Sequence, residues 1–252
     1  MKKTLFIGAL FILSTAAHAI DGVILIDQKK ALAGNVTPGD APGFPVTIST
    51  KGSYKLSADL TVPDAYTTGI EITAANVTID LNGFGIYGPN ECTGYPVSSC
   101  SAGGSGSGVT SNAVGTTVRN GVVRGMGNYG VYLYSGSVVE NITASHNGSH
   151  GITVFGGAIR NCVAHSNFQA GIMASGGTNT VSGNTSFENR GGGIIAHGST
   201  LVTGNSSSRN GSYGLVGSYN NDNEVGYSNN VLSKNLSGKG YGSSLHDLGG
   251  NL

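Results

Sequence analysis

Only 10% of the 252 residues are charged, so the side chains able to do chemistry can be weighed almost one by one. Asp80, Arg119, Glu140 and Arg160 alternate in sign, and Ser182 and Thr203 continue the same repeat position. Two readings are open. As an ion-pair column, each exposed pair contributes about 0–1 kcal/mol. As a reaction centre, a base removes the proton beside a uronate carboxylate while a cation stabilises the developing enolate. Arg119, Glu140 and Arg160 are the candidates for that chemistry. Glycoside hydrolysis is harder to support, because it needs two carboxyls about 5–9.5 Å apart across a cleft. Glu140 and Glu188 occupy different repeat positions, and neither has a second acid one repeat away.

Tyr132, Tyr134 and Phe155 form a second constellation, an aromatic patch on one flat face. Sugar rings stack on such patches through their apolar C–H faces, while neighbouring polar groups bond the hydroxyls. Cover by a loop, or contact with another protein, are the alternatives. His146, His150 and His165 come near one another if the repeat register holds, either as turn residues or as a three-histidine metal site. Asn220-Asn221-Asp222-Asn223-Glu224 carries oxygens of the kind calcium takes, with Asp222 and Glu224 as the charged ligands; a plain turn is the alternative. No cofactor is otherwise implied.

These residues must be placed by something, and composition narrows what. Glycine numbers 43, with no three-residue period and only 6 prolines, which excludes collagen. Hydrophobic content of 38% is too high for a disordered chain. A formal net charge of zero leaves no basic excess for nucleic acid. The one long apolar run is N-terminal: Lys2 and Lys3, then Leu5 to Leu13, then Ala17-His18-Ala19, the small-x-small pattern of a signal peptide over 1–19. The mature chain then has no membrane span and faces an oxidising compartment, secreted, periplasmic or at the cell surface. There Cys92 and Cys100, bracketing a short segment, are expected to bridge, whereas Cys162 reads as a small core residue.

A period of about 21 residues settles the architecture. Gly-aliphatic pairs recur at Gly108-Val109, Gly130-Val131, Gly151-Ile152, Gly171-Ile172, Gly193-Ile194 and Gly214-Leu215, with a weaker copy at Gly69-Ile70. A second aliphatic follows at Ile79, Val118, Val139, Ile159, Val181 and Val202, and an asparagine closes each unit at Asn128, Asn147, Asn167, Asn189 and Asn210. Within units apolar and polar residues alternate, which is strand periodicity, and none is long enough for a helical repeat. The glycines are expected to make corners with φ > 0, and the asparagines to bond within their own turns. The fold class is therefore all-β: a single-stranded right-handed parallel β-helix, a solenoid of about six to seven coils of roughly 21 residues.

Residues 20–45 read as an extended lead-in, and 46–62 as an N-terminal cap. Residues 89–107 read as a loop insertion, and 219–252 as an irregular C-terminal end of a β-helix spanning 46–252. The segments Thr47-Ile48-Ser49-Thr50-Lys51-Gly52-Ser53-Tyr54 with Leu56, Asn76-Val77-Thr78-Ile79-Asp80-Leu81-Asn82-Gly83 and Leu248-Gly249-Gly250-Asn251 carry a further likeness. Over about residues 46–252 the chain resembles exported bacterial β-helix proteins of the pectate-lyase-like superfamily. That group includes the nitrous oxide reductase accessory β-helix and the alginate epimerases. The resemblance implies the fold; it also opens an accessory role in periplasmic metalloprotein maturation. Nothing resembles the epimerase Tyr-Asp-Pro-His element, and the aspartate-rich motifs of polygalacturonases are missing. The expected function is an exported, non-catalytic β-helix binding an extracellular or envelope polysaccharide, or another partner. The rival is a polysaccharide lyase or C5-epimerase acting on an acidic polysaccharide.

Overall fold

The computed structural model describes residues 22–101, 103–218 and 224–252. The segment 1–19, expected to be a signal peptide, and Asp222 lie outside them. Among the described residues, no helix is long and apolar enough to cross a membrane.

Short β-branched segments between polar turns pair in parallel with their equivalents one repeat away, building a solenoid with three faces. The first face is a nine-stranded sheet running from Val46–Ile48 to Gly238–Tyr241. A sixteen-stranded sheet supplies the other two faces. Thr117–Arg124 and Ser137–Ser145 belong to both of these, turning the corner at Asn120 and Asn141, whose φ values are 60° and 54°. Ile152, Ile172 and Ile194 are register partners in one column and are fully buried. Burying each such side chain contributes roughly 1.5–3 kcal/mol. The column extends through Ile70, Val109, Val131 and Leu215, also fully buried.

Nine strands on the first face mean nine coils rather than six to seven. The additional coils lie at the ends, where the Gly-aliphatic pair is absent but strand pairing persists. Residues 46–62 form a coil of their own: Val46–Ile48 pairs with Ile70–Ile72, and Gly52–Leu56 with Val77–Asp80. The cap is instead the segment read as an extended lead-in. It holds the strand Ile24–Ile26, paired with Gly52–Leu56, and the helix Gln28–Ala33. Asp27 caps that helix by accepting the Lys30 amide at 2.7 Å, and Ala31 is buried. Asp40 locks the cap to the first coil, accepting the Thr47 and Val36 amides at 2.7 and 3.0 Å. At the other end Val225–Ser228, Val231–Ser233, Gly238–Tyr241 and Leu245–Asp247 continue the stack, so 224–252 is a coil and more, not an irregular end.

Glycine and asparagine take different parts from those expected. The repeat glycines 108, 130, 151, 171, 193 and 214 are absent from the positive-φ residues. They are small because they face inward: a Cβ on Gly193 would stand 2.6 Å from Asn210 Nδ2. The asparagines Asn147, Asn167, Asn189 and Asn210 are buried and bond mainly between coils, although Asn189 and Asn210 also donate within their own turns, to Ser186 and Ser207 Oγ at 3.1 and 3.2 Å. Asn147 Oδ1 accepts the Met126 amide, and from Asn167 onward each Oδ1 accepts the backbone and side-chain N–H of the preceding asparagine, as Asn189 does from Asn167 at 3.0 Å for both. Asn235 receives the last of these bonds. A second internal column of the same design runs through Asn184, Asn205, Asn230 and Asn251. Left-handed conformation falls elsewhere, on Asn82, Asn120, Asn141 and Asn161 at one corner and on His146, Ser166, Glu188 and Arg209 at another.

Candidate functional site

On the outer side of the nine-stranded sheet one column reads Thr47, Glu71, Thr110, Tyr132, Thr153, Met173, Ile195, Val216 and Tyr241. The next outward position in successive coils holds Asn112, Tyr134, Phe155, Ser175 and His197. Strand alternation thereby sets Tyr132 and Tyr134 on the same face one step apart, with Phe155 in the next coil. Their rings touch: Tyr134 stacks on Phe155 with centroids 5.2 Å apart, and Tyr132 meets both edge-on at 5.7 and 5.4 Å. Tyr134 is 39% exposed. Thr153, register partner of Tyr132, is 1% exposed.

The patch is larger than the three residues found in the sequence. Tyr129 lies 4.7 Å from Tyr132, and His150 stacks on Tyr129 at 5.8 Å. Both stand immediately before a repeat glycine, Gly130 and Gly151, so their shared turn position was the available signal. His150 Nδ1 accepts the Ala170 amide at 3.1 Å, and burial holds its pKa down to about 4. That ring is therefore neutral at pH 7. Burial and the Tyr134 hydroxyl, 3.4 Å away, push the Tyr132 hydroxyl up to about 12. It stays protonated, able both to donate and to accept.

Beside the patch the face becomes concave. Glu71, Ile72, Thr73, Thr110, Asn112 and Ala113 line a shallow pocket of about 170 Å³. A second hollow, sharing Glu71 and Thr110, continues toward Phe44, Pro45 and Tyr66. Glu71 went unremarked in the sequence because its coil carries the weakest copy of the repeat.

The alternating charges lie on a different face. Asp80, Arg119, Glu140 and Arg160 are successive register partners, as the repeat position implies. Distances sort them into two couples. Arg119 Nε lies 3.3 Å from Asp80 Oδ2, and Arg160 Nη2 lies 2.7 Å from Glu140 Oε2. The arginines are 42% and 49% exposed and the carboxylates 18% and 20%, so both couples lie at the surface with their acids partly covered.

The third face bears the insertion 89–107. Its strands Cys92–Thr93 and Ser99–Cys100 form an antiparallel hairpin closed by the Cys92–Cys100 disulfide. The hairpin is folded down along the stack. Glu91 pairs with Arg124 at 2.8 Å, Asn90 donates to the His146 carbonyl at 2.9 Å, and the Val97 amide bonds Glu188 O at 3.1 Å. It thus lies over the corner that holds His146 and Glu188, and Tyr134 keeps its exposure on the aromatic face.

The histidines do not converge as a triad. His146 and His165 meet at 5.9 Å, with His165 stacked on Phe187 at 4.9 Å, while His150 belongs to the aromatic patch. Among the described residues no three His, Cys, Asp or Glu side chains are grouped to hold a metal ion. Glu224 is described, but its proposed partner Asp222 is not. Cys162 is buried, and burial pushes its thiol up to about 12, far from a nucleophile's range.

A family model described as "right handed beta helix region" matches residues 61–201. The chain belongs to the right-handed β-helix family. The match fixes the hand of the coils as right-handed and spans the aromatic patch and both charged couples. Among solved structures this β-helix is similar to a periplasmic alginate epimerase, AlgG, with 15% identity and a TM-score of 0.50. That likeness covers 79% of this chain and 59% of the epimerase, so the chain spans about three fifths of that protein. Pectate lyase Pel9A is also similar in part, with 14% identity and a TM-score of 0.47 over 79% of this chain and 71% of the lyase. At such identities the likeness is one of fold. A search of curated proteins returns no match.

Proposed function

We propose that this β-helix is an exported, non-catalytic protein that binds glycan through the face bearing Tyr132, Tyr134 and Phe155. The observation carrying this reading is the open aromatic patch beside a shallow groove of hydroxyl and amide side chains. A ring such as Tyr134 offers a flat apolar surface to a sugar's C–H face, while Thr110 and Asn112 offer bonds to its hydroxyls. Periplasmic, secreted or cell-surface residence belongs to the same proposal. Its supports are the N-terminal address and the disulfide, a bond that persists outside the reducing cytosol.

Elimination or epimerisation by Arg119, Glu140 and Arg160 is less well supported. Each arginine is already paired with a carboxylate of a neighbouring coil. No observation here favours the accessory role in metalloprotein maturation or calcium binding at Glu224.

A polysaccharide array read for both retention and release of unsaturated uronate ends tests the proposal. Retention without product is expected. Product formation by the wild type that disappears in Arg119→Ala would overturn the non-catalytic reading.

A further inference from the structure

The proposed glycan face has a charge pattern that restricts its ligand. Across the nine strands of this sheet Glu71 is the one acid and Lys239 the one base. Lys239 stands in the last strand, in the repeat-glycine position and four coils beyond Phe155. Strand spacing puts it roughly 19 Å from the patch along the stack. Glu71, by contrast, lines the groove only two coils from Tyr132. The arginines are committed elsewhere. Arg119 and Arg160 pair on the second face, Arg124 and Arg209 pair with Glu91 and Glu188 on the third, and Arg190 lies over the Phe168 ring. His197, the remaining basic group on the outward columns, is kept neutral at pH 7 by burial.

An anionic polysaccharide on this face would meet no cation along the patch and a carboxylate in the groove. Its own carboxylates or sulfates would lose water without gaining a charged partner, an uncompensated loss. Uncharged hydroxyls face no such penalty. Thr73, Thr110, Asn112 and Ser175 can each donate or accept, and the three rings supply stacking. We infer that the ligand is an uncharged glycan, running along the stack from Phe155 to the Glu71 groove, and that the face discriminates against carboxylated and sulfated chains. The three coil steps between those ends span about 14 Å, room for a short run of sugar rings. This inference rests on the glycan-binding reading.

Titration calorimetry with defined hexasaccharides tests it, comparing cellohexaose and hexa-N-acetylchitohexaose with hexagalacturonate and hexamannuronate. The quantity scored is the binding lost in Tyr134→Ala, which confines the result to this face. At low salt at least one neutral hexamer should bind about fivefold or more tightly than either uronate. The gap should narrow near 0.5 M salt as screening shortens the reach of Glu71. Glu71→Lys should improve the uronates severalfold relative to the neutral hexamers. A uronate binding as tightly as the neutral hexamers at low salt, with equal loss in Tyr134→Ala, would overturn the charge inference and leave glycan binding standing. Failure of the wild type to bind any hexamer would instead remove the glycan reading itself.

Discussion

At the scale of single residues, buried polar groups repeat beside the apolar core. Asn189 accepts two bonds from Asn167 and donates to the Ala164 carbonyl, to Ser186 Oγ and to Asn210 Oδ1, all at 3.0–3.1 Å. Asn189→Ala strands buried donors and acceptors in two neighbouring coils. Urea denaturation should show a loss of roughly 3–5 kcal/mol. A loss below that of a surface substitution would show that the column is not what holds the corner. The histidines set the acid limit. Burial lowers the pKa of His146, His150, His165 and His197, so between about pH 6.5 and 4 the unfolded chain binds protons that the folded chain refuses. Stability should therefore be full above pH 6.5 and fall as the pH drops through that window. His150, depressed to about 4, would account for up to roughly 3 kcal/mol of the fall. The gap between urea midpoints at pH 7 and 4.5 should shrink in His150→Gln; an unchanged gap would place the proton uptake elsewhere. Cys162, with its thiol pushed up to about 12, should resist alkylation until the chain unfolds.

At the scale of elements, the charged couples and the asparagine columns show what a repeat can and cannot disclose. A double-mutant cycle on Arg160 and Glu140 should return no more than about 1 kcal/mol, because both groups rehydrate when parted. A coupling of several kcal/mol would mean a desolvated pair with a role beyond packing. The register of Asp80, Arg119, Glu140 and Arg160 was legible because a parallel stack puts equal repeat positions side by side. The inward column of Ile152, Ile172 and Ile194 was legible for the same reason. Cys92 and Cys100 could be paired because few residues separate them. The work of each asparagine was not legible. Asn141 turns left-handed at a corner while Asn147 points inward, and both follow a strand-like segment of similar composition. The helix Gln28–Ala33 was missed because prolines nearby suggested extension; its ends are set locally, by Asp27 at the N-cap and by Gly34, at φ 71°, at the C-cap. The path of the hairpin at 92–100 depends on Arg124, His146 and Glu188, contacts between distant coils that no local pattern encodes.

At the scale of the whole molecule, nine coils stacked in one direction give a solenoid whose three faces are furnished differently. The second face is tied by ion pairs, the third is strapped by the hairpin, and the first is left open. Because each coil contacts mainly its neighbours, a coil remote from the patch should be dispensable. Deleting residues 193–213 brings Gly214 to the place of Gly193 in the repeat. The shortened protein should still fold as a β-helix, with lower stability and unchanged glycan affinity; loss of the fold would refute modular stacking. The central claim is that the aromatic face binds glycan, and one titration reaches it most directly. The neutral hexasaccharide retained best by the wild type is titrated into wild type, Tyr134→Ala, Phe155→Ala and Arg119→Ala. Either aromatic truncation should weaken binding by about 1–3 kcal/mol, the order known for stacking on planar ligands, while Arg119→Ala leaves it unchanged. Equal affinity in all four proteins, or a loss confined to Arg119→Ala, would contradict the account.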